Sequence, residues 1–266
     1  MSTAQPPATT RAPIGRALVT GASKRVGRAT AIELARAGLD LALTYRTDEA
    51  GCRETAARAV AAARESGFAI APEILHLDLC EIASVERVAA ALAPRGVDCI
   101  VHNASTYAPT AMGSMTAVDF ESMYRAEVVS PALLTQALRG GLAQSRLPAG
   151  GAVVFYSDIY ALGKPRVSFT PYIVAKAAVR ALAEQLTVEL APAVRVHCIA
   201  PGVIAWPDDD APGAVSDEIK RSTLARTPLA RAGTPEEAAK LVRFLVLDAS
   251  YLTGVTIRID GGRALR

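Results

Sequence analysis

Three residues in the stretch from 157 to 176, SDIYALGKPRVSFTPYIVAK, are of types that can move a proton. Tyr172 and Lys176 are four positions apart near the start of a predicted helix, so their side chains share one face. A free phenol titrates near pH ~10, and a neighbouring ammonium lowers that pKa. The spacing therefore predicts Tyr172 as a general acid and Lys176 as the group that lowers its pKa. Asp158 lies upstream. A carboxylate beside such a phenol needs an explanation, because its negative charge would raise the pKa that Lys176 lowers.

A second motif, TGASKRVG at 20–27, follows the first predicted strand and opens a helix. Gly21 and Gly27 take the first and last glycine positions of a dinucleotide-binding fingerprint, and Arg25 takes the middle one. Glycines there let backbone N–H groups approach a pyrophosphate at the helix N-terminus. Three basic residues crowd the first turn: Lys24, Arg25 and Arg28. Because a helix N-terminus disfavours cations, this crowding indicates a bound phosphate; the alternative is a capped turn with solvated basic residues.

The end of the second predicted strand bears on the choice of dinucleotide. An NAD site places an acid about 20 residues after the glycines, whereas an NADP site places a cation there for the extra phosphate. This strand ends in Tyr45, Arg46 and Thr47. Asp48 and Glu49 are expected to point away at the start of the next helix. The sequence therefore predicts NADP(H).

Seven β-rich runs alternate with helical patterns, at 16–20, 40–45, 73–78, 98–103, 152–157, 194–200 and 255–260. This alternation predicts an α/β, single-domain Rossmann fold, with a doubly wound seven-stranded parallel sheet and helices on both faces. Ligands of such sheets bind beyond the carboxyl ends of the strands. Asp78, after the third strand, is a candidate acceptor for an adenine amino group, a helix N-cap, or both. Thr170 is expected as an N-cap, with Pro171 at the first helical position.

The composition fits one domain in a reducing compartment. The 266 residues are 51% hydrophobic with a net charge of +3 and scattered basic residues, so we expect neither a nucleic-acid partner nor a membrane span. The opening segment lacks the order of a secretory signal, and we expect residues 1–13 to be a disordered tail and 14–266 to form the domain. Four cysteines without a CxxC pair indicate reduced thiols and no metal site.

In combination, these motifs resemble the short-chain dehydrogenase/reductase family over nearly the whole chain. The combination comprises TGxxxRxG, YxxxK, Asn103-Ala104 after the fourth strand, Pro201-Gly202 after the sixth and DGG at 260–262. Within the family the chain is most similar to the pteridine reductases. That similarity lies in Arg25 of the glycine motif, NAS at 103–105, Asp158 in place of a serine, WP at 206–207, RTPLAR at 226–231 and the DGGR ending. It implies a homotetramer that reduces a pterin or dihydropterin with NADPH. The opening segment and the lack of a long apolar run lead us to expect a cytoplasmic protein.

The resemblance also implies site residues. Asp158, Tyr172 and Lys176 would be catalytic. The cofactor would bind Gly21, Arg25, Val26, Gly27, Tyr45, Arg46, Thr47, Asp78, Leu79, Asn103, Ala104, Ser105, Tyr172, Lys176, Pro201, Gly202 and Val203. The substrate would contact Arg25, Ser105, Tyr107, Asp158, Tyr172 and Trp206, with Tyr107 sandwiching the pterin against the nicotinamide. Residues 203–224 resemble the family's substrate lid; Trp206 contacts substrate there or packs at the lid base, and Asp208–Asp210 are expected to be solvated.

Asp158 favours a pterin over a simple ketone. A serine at this place donates to a carbonyl oxygen that becomes negative in the transition state, and an ionised carboxylate would repel that charge. A pterin presents N–H and amino donors that a carboxylate accepts, and its C=N bond needs a proton at nitrogen. Ser157 takes this place if the alignment slips by one residue, since the loop to Tyr172 is one residue longer than the group suggests.

Glu127 departs from the family, which usually has an asparagine linking the active-site lysine to water. The glutamate could hold the same water or pair with Lys176, or the local helix could differ. Two other functions remain open at this stage. One is a generic carbonyl or 3-oxoacyl reductase, and the other is a non-catalytic NADPH-binding sensor or interaction protein.

Overall fold

A parallel sheet forms the centre of the computed structural model, which describes residues 10–206 and 214–266. Within those ranges the sheet has seven strands in the order β3-β2-β1-β4-β5-β6-β7. The strands are β1 (Gly15–Val19), β2 (Leu39–Tyr45), β3 (Glu73–His76), β4 (Cys99–His102), β5 (Gly151–Tyr156), β6 (Val194–Pro201) and β7 (Thr256–Ile259). All seven predicted strands are confirmed, with ends that differ by at most two residues.

Helices cover both faces of this sheet. They are α1 (Arg25–Arg36), α2 (Glu49–Glu65), α3 (Ile82–Leu92), α4 (Ala117–Tyr124), α5 (Ser130–Ala143), α6 (Thr170–Leu190), α7 (Asp217–Ala225) and α8 (Pro235–Leu247). One apolar cluster joins α1, α2 and α8 to the sheet, and a second joins α3, α5 and α6 to the opposite face. The predicted doubly wound α/β fold is confirmed.

The chain reverses its winding direction at β1. From β1 it moves outward through β2 and β3, and it then returns to place β4 on the other side of β1. The register pairs Val19 with Val101 and Tyr156 with Ile199, so the strands end at a common edge. A crevice at this reversal is where such sheets bind ligands.

Arg195 in β6 is a buried charge that joins the sheet to α8. Its guanidinium donates to the carbonyl oxygens of Leu245 at 2.5 Å, Val246 at 2.9 Å and Ala249 at 3.0 Å. These carbonyls belong to the last turn of α8 and the residues after it, where a helix lacks internal donors. Arg195 therefore caps α8 from the neighbouring strand.

Three local predictions are wrong. Residues 11–13 of the predicted tail are ordered, because Arg11 forms a parallel bridge with Phe68 and stacks on its ring; residues 1–9 lie outside the described residues. Thr170 is the first residue of α6 and not its N-cap, which is Phe169. Asp78 is not a helix N-cap, because α3 begins four residues later and Glu81 precedes it.

All four cysteines are free thiols, as expected. Cys52, Cys99 and Cys198 are buried, and burial raises the pKa of Cys52 and of Cys198 to about 11. Cys80 is only partly buried and lies beside the crevice.

Candidate functional site

A cavity of about 520 Å³ opens at the edge where the strand order reverses. Every residue that the sequence assigned to the cofactor or the substrate lines it, from Gly21 after β1 to Trp206 after β6. The structure therefore gathers the assigned residues around one space. Cys80 also lines the cavity.

The turn from β1 into α1 leaves room for a ligand only because of its glycines. Gly21 has φ +65°, and a Cβ there would lie 2.9 Å from the Cα of Ala104. A Cβ on Gly27 would lie 2.2 Å from the carbonyl oxygen of Gly21. The Asn103 side chain donates to the carbonyls of Thr20 and Gly21 at 2.9 and 3.0 Å, which fixes this turn against β4.

The N-terminus of α1 suits a pyrophosphate. The N-cap residue is Lys24, whose side chain has no acceptor atom, so an anion can satisfy the N–H groups of the first turn. Arg25 lines the cavity with φ 50°, in the left-handed region that a glycine would adopt without strain. The prediction that Arg28 helps to bind a phosphate is wrong. It donates to the Ser23 carbonyl at 2.6 Å and pairs with Glu54 on α2 at 2.9 Å.

The wall after β2 is cationic, as predicted. Arg46 is exposed and lines the cavity. Asp48 instead accepts from the backbone N–H of Gly51 at 2.8 Å and so caps α2. Glu49 pairs with Arg53 at 2.6 Å. With both acids engaged on α2, the residues present fit the additional phosphate of NADP(H) better than the free ribose hydroxyls of NAD(H).

Asp158 and Tyr172 are hydrogen-bonded on the cavity wall. The Tyr172 hydroxyl donates to Oδ2 of Asp158 at 3.0 Å, and Oδ1 accepts from the backbone N–H of Tyr160 at 2.9 Å. Ser157 faces away, because its hydroxyl donates to the carbonyl of Lys176 at 2.7 Å. The residue beside the phenol is therefore the carboxylate and not the neighbouring serine.

Lys176 forms a buried ion pair. Its ammonium lies 2.7 Å from Oε2 of Glu127, with 3% and 4% of the two side chains exposed. It also donates to the Tyr156 carbonyl at 2.8 Å, and the other oxygen of Glu127 accepts from the Ser105 hydroxyl at 2.5 Å.

A π-helical turn places Glu127 beside Lys176. The turn covers Arg125–Val129, between α4 and α5. Of the possibilities that the sequence left open for Glu127, the structure shows pairing with Lys176 within an altered helix. Such turns are frequent at functional sites.

The expectation that Lys176 lowers the pKa of Tyr172 is wrong for this arrangement. Burial raises the pKa of Tyr172 well above its ordinary value, and the charges of Asp158 and Glu127 raise it further. Glu127 compensates the charge of Lys176, so the phenol stays protonated. Burial also raises the pKa of Asp158, although hydrogen bonds from Tyr160 and Tyr172 oppose that effect.

Aromatic rings pack next to the phenol: Tyr107 lines the cavity, and the buried ring of Phe169 lies behind it. Tyr107 contacts Tyr172 edge to face, with ring centroids 5.2 Å apart, and packs on Phe169 at 4.7 Å. Burial raises the pKa of Tyr107 to about 12. The sequence analysis placed Tyr107 in the site but missed Phe169, whose only signal was its position before α6.

Two arginines that line the cavity were also missed. Arg166 lies in the loop before α6, and its guanidinium carbon is 4.3 Å from the centroid of the Phe169 ring. Arg263 follows β7 and donates to the Tyr160 hydroxyl at 2.7 Å. Arg263 belongs to the DGGR motif, but nothing in the sequence indicated that its side chain contacts Tyr160.

The predicted lid borders the cavity where the structure describes it. Trp206 lines the cavity, as do Val215, Ile219 and Thr223. Pro207 and the acidic run Asp208–Asp210 lie outside the described residues.

Neither a metal-binding cluster nor a membrane-crossing helix occurs in the described part of the chain. Over residues 10–206 and 214–266, no group of three or more His, Cys, Asp and Glu side chains could hold a metal ion. In the same ranges, none of the helices has both the length and the apolar character needed to span a bilayer.

Comparison with known proteins places these features in one family. A family model described as Enoyl-(Acyl carrier protein) reductase matches residues 21–264. Human dehydrogenase/reductase SDR family member 4 is 32% identical over 262 residues, covering 94% of this chain and 87% of that protein. The 3-oxoacyl-acyl-carrier-protein reductase FabG of Staphylococcus aureus is 31% identical over 252 residues, covering 92% of this chain and 96% of that one.

Solved structures agree with the sequence relatives. The acetoin dehydrogenase of Enterobacter cloacae superposes with a TM-score of 0.80 at 28% identity, covering 95% of this chain and 96% of the other. A metagenomic blue fluorescent protein in complex with NADPH gives 0.79 at 26% identity, covering 94% and 98%. The sheet order and the Tyr–Lys pair at its edge define an α/β oxidoreductase. The chain belongs to the short-chain dehydrogenase/reductase family.

Proposed function

We propose that this protein is an NADPH-dependent reductase of a pterin or dihydropterin that acts on a ring C=N bond. The observation that carries the proposal is the hydrogen bond from Tyr172 to the carboxyl group of Asp158. A ketone reductase needs a neutral donor at this place for the developing oxyanion, and Ser157 is turned away. A pterin ring instead offers N–H and amino groups that a carboxylate accepts.

NADPH is the proposed cofactor. Its pyrophosphate would bind at the turn from Gly21 to Gly27, its additional phosphate at Arg46, and its nicotinamide ribose at Tyr172 and Lys176. When bound, the cofactor supplies a hydride to the ring carbon.

The side chains of the chain itself manage the proton. Asp158 accepts from the pterin N–H groups and orients the ring, and Tyr107 covers its face. Tyr172, a protonated phenol held at 3.0 Å from Asp158, is the proton donor for the ring nitrogen, directly or through the carboxyl group. Lys176 and Glu127 form an ion pair, and the charge of Glu127 offsets the effect of the ammonium on the pKa of Tyr172.

A generic 3-oxoacyl or carbonyl reductase is the second candidate function. It is favoured by the named relatives, which include a 3-oxoacyl reductase and an acetoin dehydrogenase. Asp158 opposes it, because the carboxylate would face the oxyanion of a reduced ketone. A non-catalytic NADPH-binding protein would not require the Tyr172–Asp158 pair.

The test is oxidation of NADPH by the purified protein with a dihydropterin, a 3-oxoacyl thioester and a simple ketone. We expect turnover of the dihydropterin alone. Tyr172→Phe should lower kcat by about 10²–10⁴-fold while NADPH binding persists, since the variant removes only the proton donor. Tyr124→Phe, which changes an exposed tyrosine on α4, is the matched control.

Asp158→Ser separates the two candidate enzymes. It should impair reduction of the dihydropterin and raise activity toward ketones. Dihydropterin turnover that is unchanged in this variant would remove Asp158 from the mechanism. Turnover of the carbonyl compounds alone by the unaltered protein would refute the pterin assignment.

We further propose that the protein is a homotetramer of the cytoplasm. Free cysteines suit a reducing compartment. Exposed apolar side chains such as Phe244 on α8 and Tyr251 before β7 supply a surface for assembly.

A further inference from the structure

Two guanidinium groups from distant segments meet at one end of the cavity. Arg166 lies before α6, and Arg263 follows β7 near the end of the chain. Their guanidinium carbons are 5.2 and 5.4 Å from the centroid of the same ring, that of Tyr160. All three residues line the cavity. The arrangement therefore places two positive charges around one aromatic side chain.

The two guanidinium groups make few hydrogen bonds within the described residues. The hydrogen bond of the Arg166 side chain goes to the Tyr107 hydroxyl, and that of Arg263 goes to the Tyr160 hydroxyl. Arg263 is 7% exposed, and its Nε is buried with no partner among the described residues. Within those residues, neither guanidinium forms an ion pair with a carboxylate. Two guanidinium groups that line the cavity without a carboxylate partner favour an anion that enters it.

Tyr107 connects this cationic end to the reacting groups. Its ring touches Tyr172 edge to face at 5.2 Å, and its hydroxyl accepts from Arg166. A substrate whose ring lies between Asp158 and Tyr107 would direct its side chain past Tyr107 toward the two arginines. Tyr107 would then lie between the acidic group of the substrate and the hydroxyl of Tyr172.

We propose that the substrate carries an anionic group, a carboxylate or a phosphate, and that Arg166 and Arg263 bind it across Tyr160. This inference rests on the proposed pterin reductase function and adds the substrate class: a pterin with an acidic side chain is preferred over one with a neutral side chain. Planar guanidinium groups suit both acids, because they donate two parallel hydrogen bonds.

The test compares three dihydropterins that share the ring and differ in the side chain. One carries a neutral hydroxyalkyl chain, the second the same chain as a phosphate monoester, and the third a chain ending in a carboxylate. The unaltered enzyme should favour at least one acidic compound in kcat/KM, and the better of the two identifies the acid. Arg166→Gln should lower the ratio of acidic to neutral kcat/KM by about tenfold or more, since it removes a charge-assisted contact.

Two further variants control the comparison. Arg166→Lys, which keeps the charge and loses the planar fork, should retain part of the preference. Arg139→Gln removes an exposed arginine on α5 that donates to the Gln136 carbonyl, and it should leave the ratio unchanged. Arg263→Gln should match Arg166→Gln; if this buried substitution prevents folding, the variants of Arg166 decide the result.

Binding separates failure of this inference from failure of the proposed function. Affinity of the three pterins for the NADP⁺-loaded enzyme is measured by quenching of Trp206, the only tryptophan and a residue of the cavity wall. Turnover of the dihydropterins without any preference for an acid would overturn the inference and leave the reductase assignment in place. Tighter binding of acidic pterins without turnover would support the anion site and refute the reductase. Equal affinity of all three would also overturn the anion site.

Discussion

At the scale of residues, the protonation of Tyr172 depends on the charges around it. Asp158 and Glu127 place two carboxylates around one ammonium, that of Lys176. Burial, together with this excess of negative charge, raises the pKa of Tyr172 well above its ordinary value. The site is therefore arranged to keep the phenol protonated, as the proposed role of Tyr172 as proton donor requires.

Replacement of Glu127 tests this arrangement. Glu127→Gln removes one negative charge and leaves the ammonium of Lys176 uncompensated, so the pKa of Tyr172 falls. Because the protonated phenol is the active form, activity is present below that pKa and lost above it. The alkaline limb of the kcat/KM profile should therefore move to lower pH in the variant.

Glu184→Gln is the matched control for this profile. It removes an exposed carboxylate on α6 that pairs with Arg180 at 3.0 Å, and it should leave the alkaline limb in place. An alkaline limb that stays unchanged in Glu127→Gln would show that Glu127 does not control the phenol.

Sequence reasoning at this scale worked where one motif contained the residues. The spacing of Tyr172 and Lys176 and the position of Asp158 could be read directly. The effect of Lys176 on the phenol could not, because it depends on Glu127, almost 50 positions away. Arg166 was missed for a related reason: a loop arginine has no periodicity that would indicate which rings it packs against.

At the scale of elements, the ends of strands and helices determine which charges face the cavity. The N-terminus of α2 engages Asp48 and Glu49, and Arg46 remains on the cavity wall after β2. This division of charge could be predicted, because Asp48 precedes a helical pattern and is a good N-cap. The π-helical turn before α5 could not be predicted, since its sequence reads as ordinary helix.

Arg46→Ala should change the preference between nicotinamide cofactors. Loss of a charge-assisted contact to the additional phosphate should lower kcat/KM for NADPH by about 10–100-fold and leave NADH turnover nearly unchanged. Arg64→Ala, which changes an exposed arginine in the last turn of α2 away from the cavity, is the control and should alter neither value. An equal loss with both cofactors would contradict the assignment of Arg46 to the phosphate.

Arg195→Met should destabilise the fold without affecting the cavity. The variant removes the guanidinium donor from the carbonyls of Leu245, Val246 and Ala249, so the free energy of unfolding should fall by about 2–4 kcal/mol. Of these, the Ala249 carbonyl still accepts from the backbone N–H of Leu252 at 3.3 Å. Urea titration measures this loss. Arg243→Met, which removes an exposed ion pair with Asp248 at 3.1 Å, should cost less than about 1 kcal/mol.

At the scale of the whole molecule, alternation of strands and helices was sufficient to predict the fold. Strands buried on both faces form continuous apolar runs, and their connections must be helical crossovers. The same logic placed the site at the carboxyl edge of the sheet, where the cavity lies. The same logic could not predict that Arg263 lines the cavity, because its contact with Tyr160 spans 103 positions.

Sedimentation tests the proposed assembly. We expect a species of four times the 27.8 kDa chain. Tyr251→Glu should shift the distribution toward smaller species, because it places a charge on a fully exposed aromatic position. A monomer that is fully active in turnover would refute the tetramer.

The partial exposure of Cys80 offers a convenient label. Three of the four thiols are buried in the packed layers, whereas Cys80 lies on the cavity wall beside Asp78. An alkylating reagent should therefore modify Cys80 first, and a nucleotide resting against that wall should shield it. The rate of alkylation then reports how much of the protein carries cofactor, without any need for a substrate.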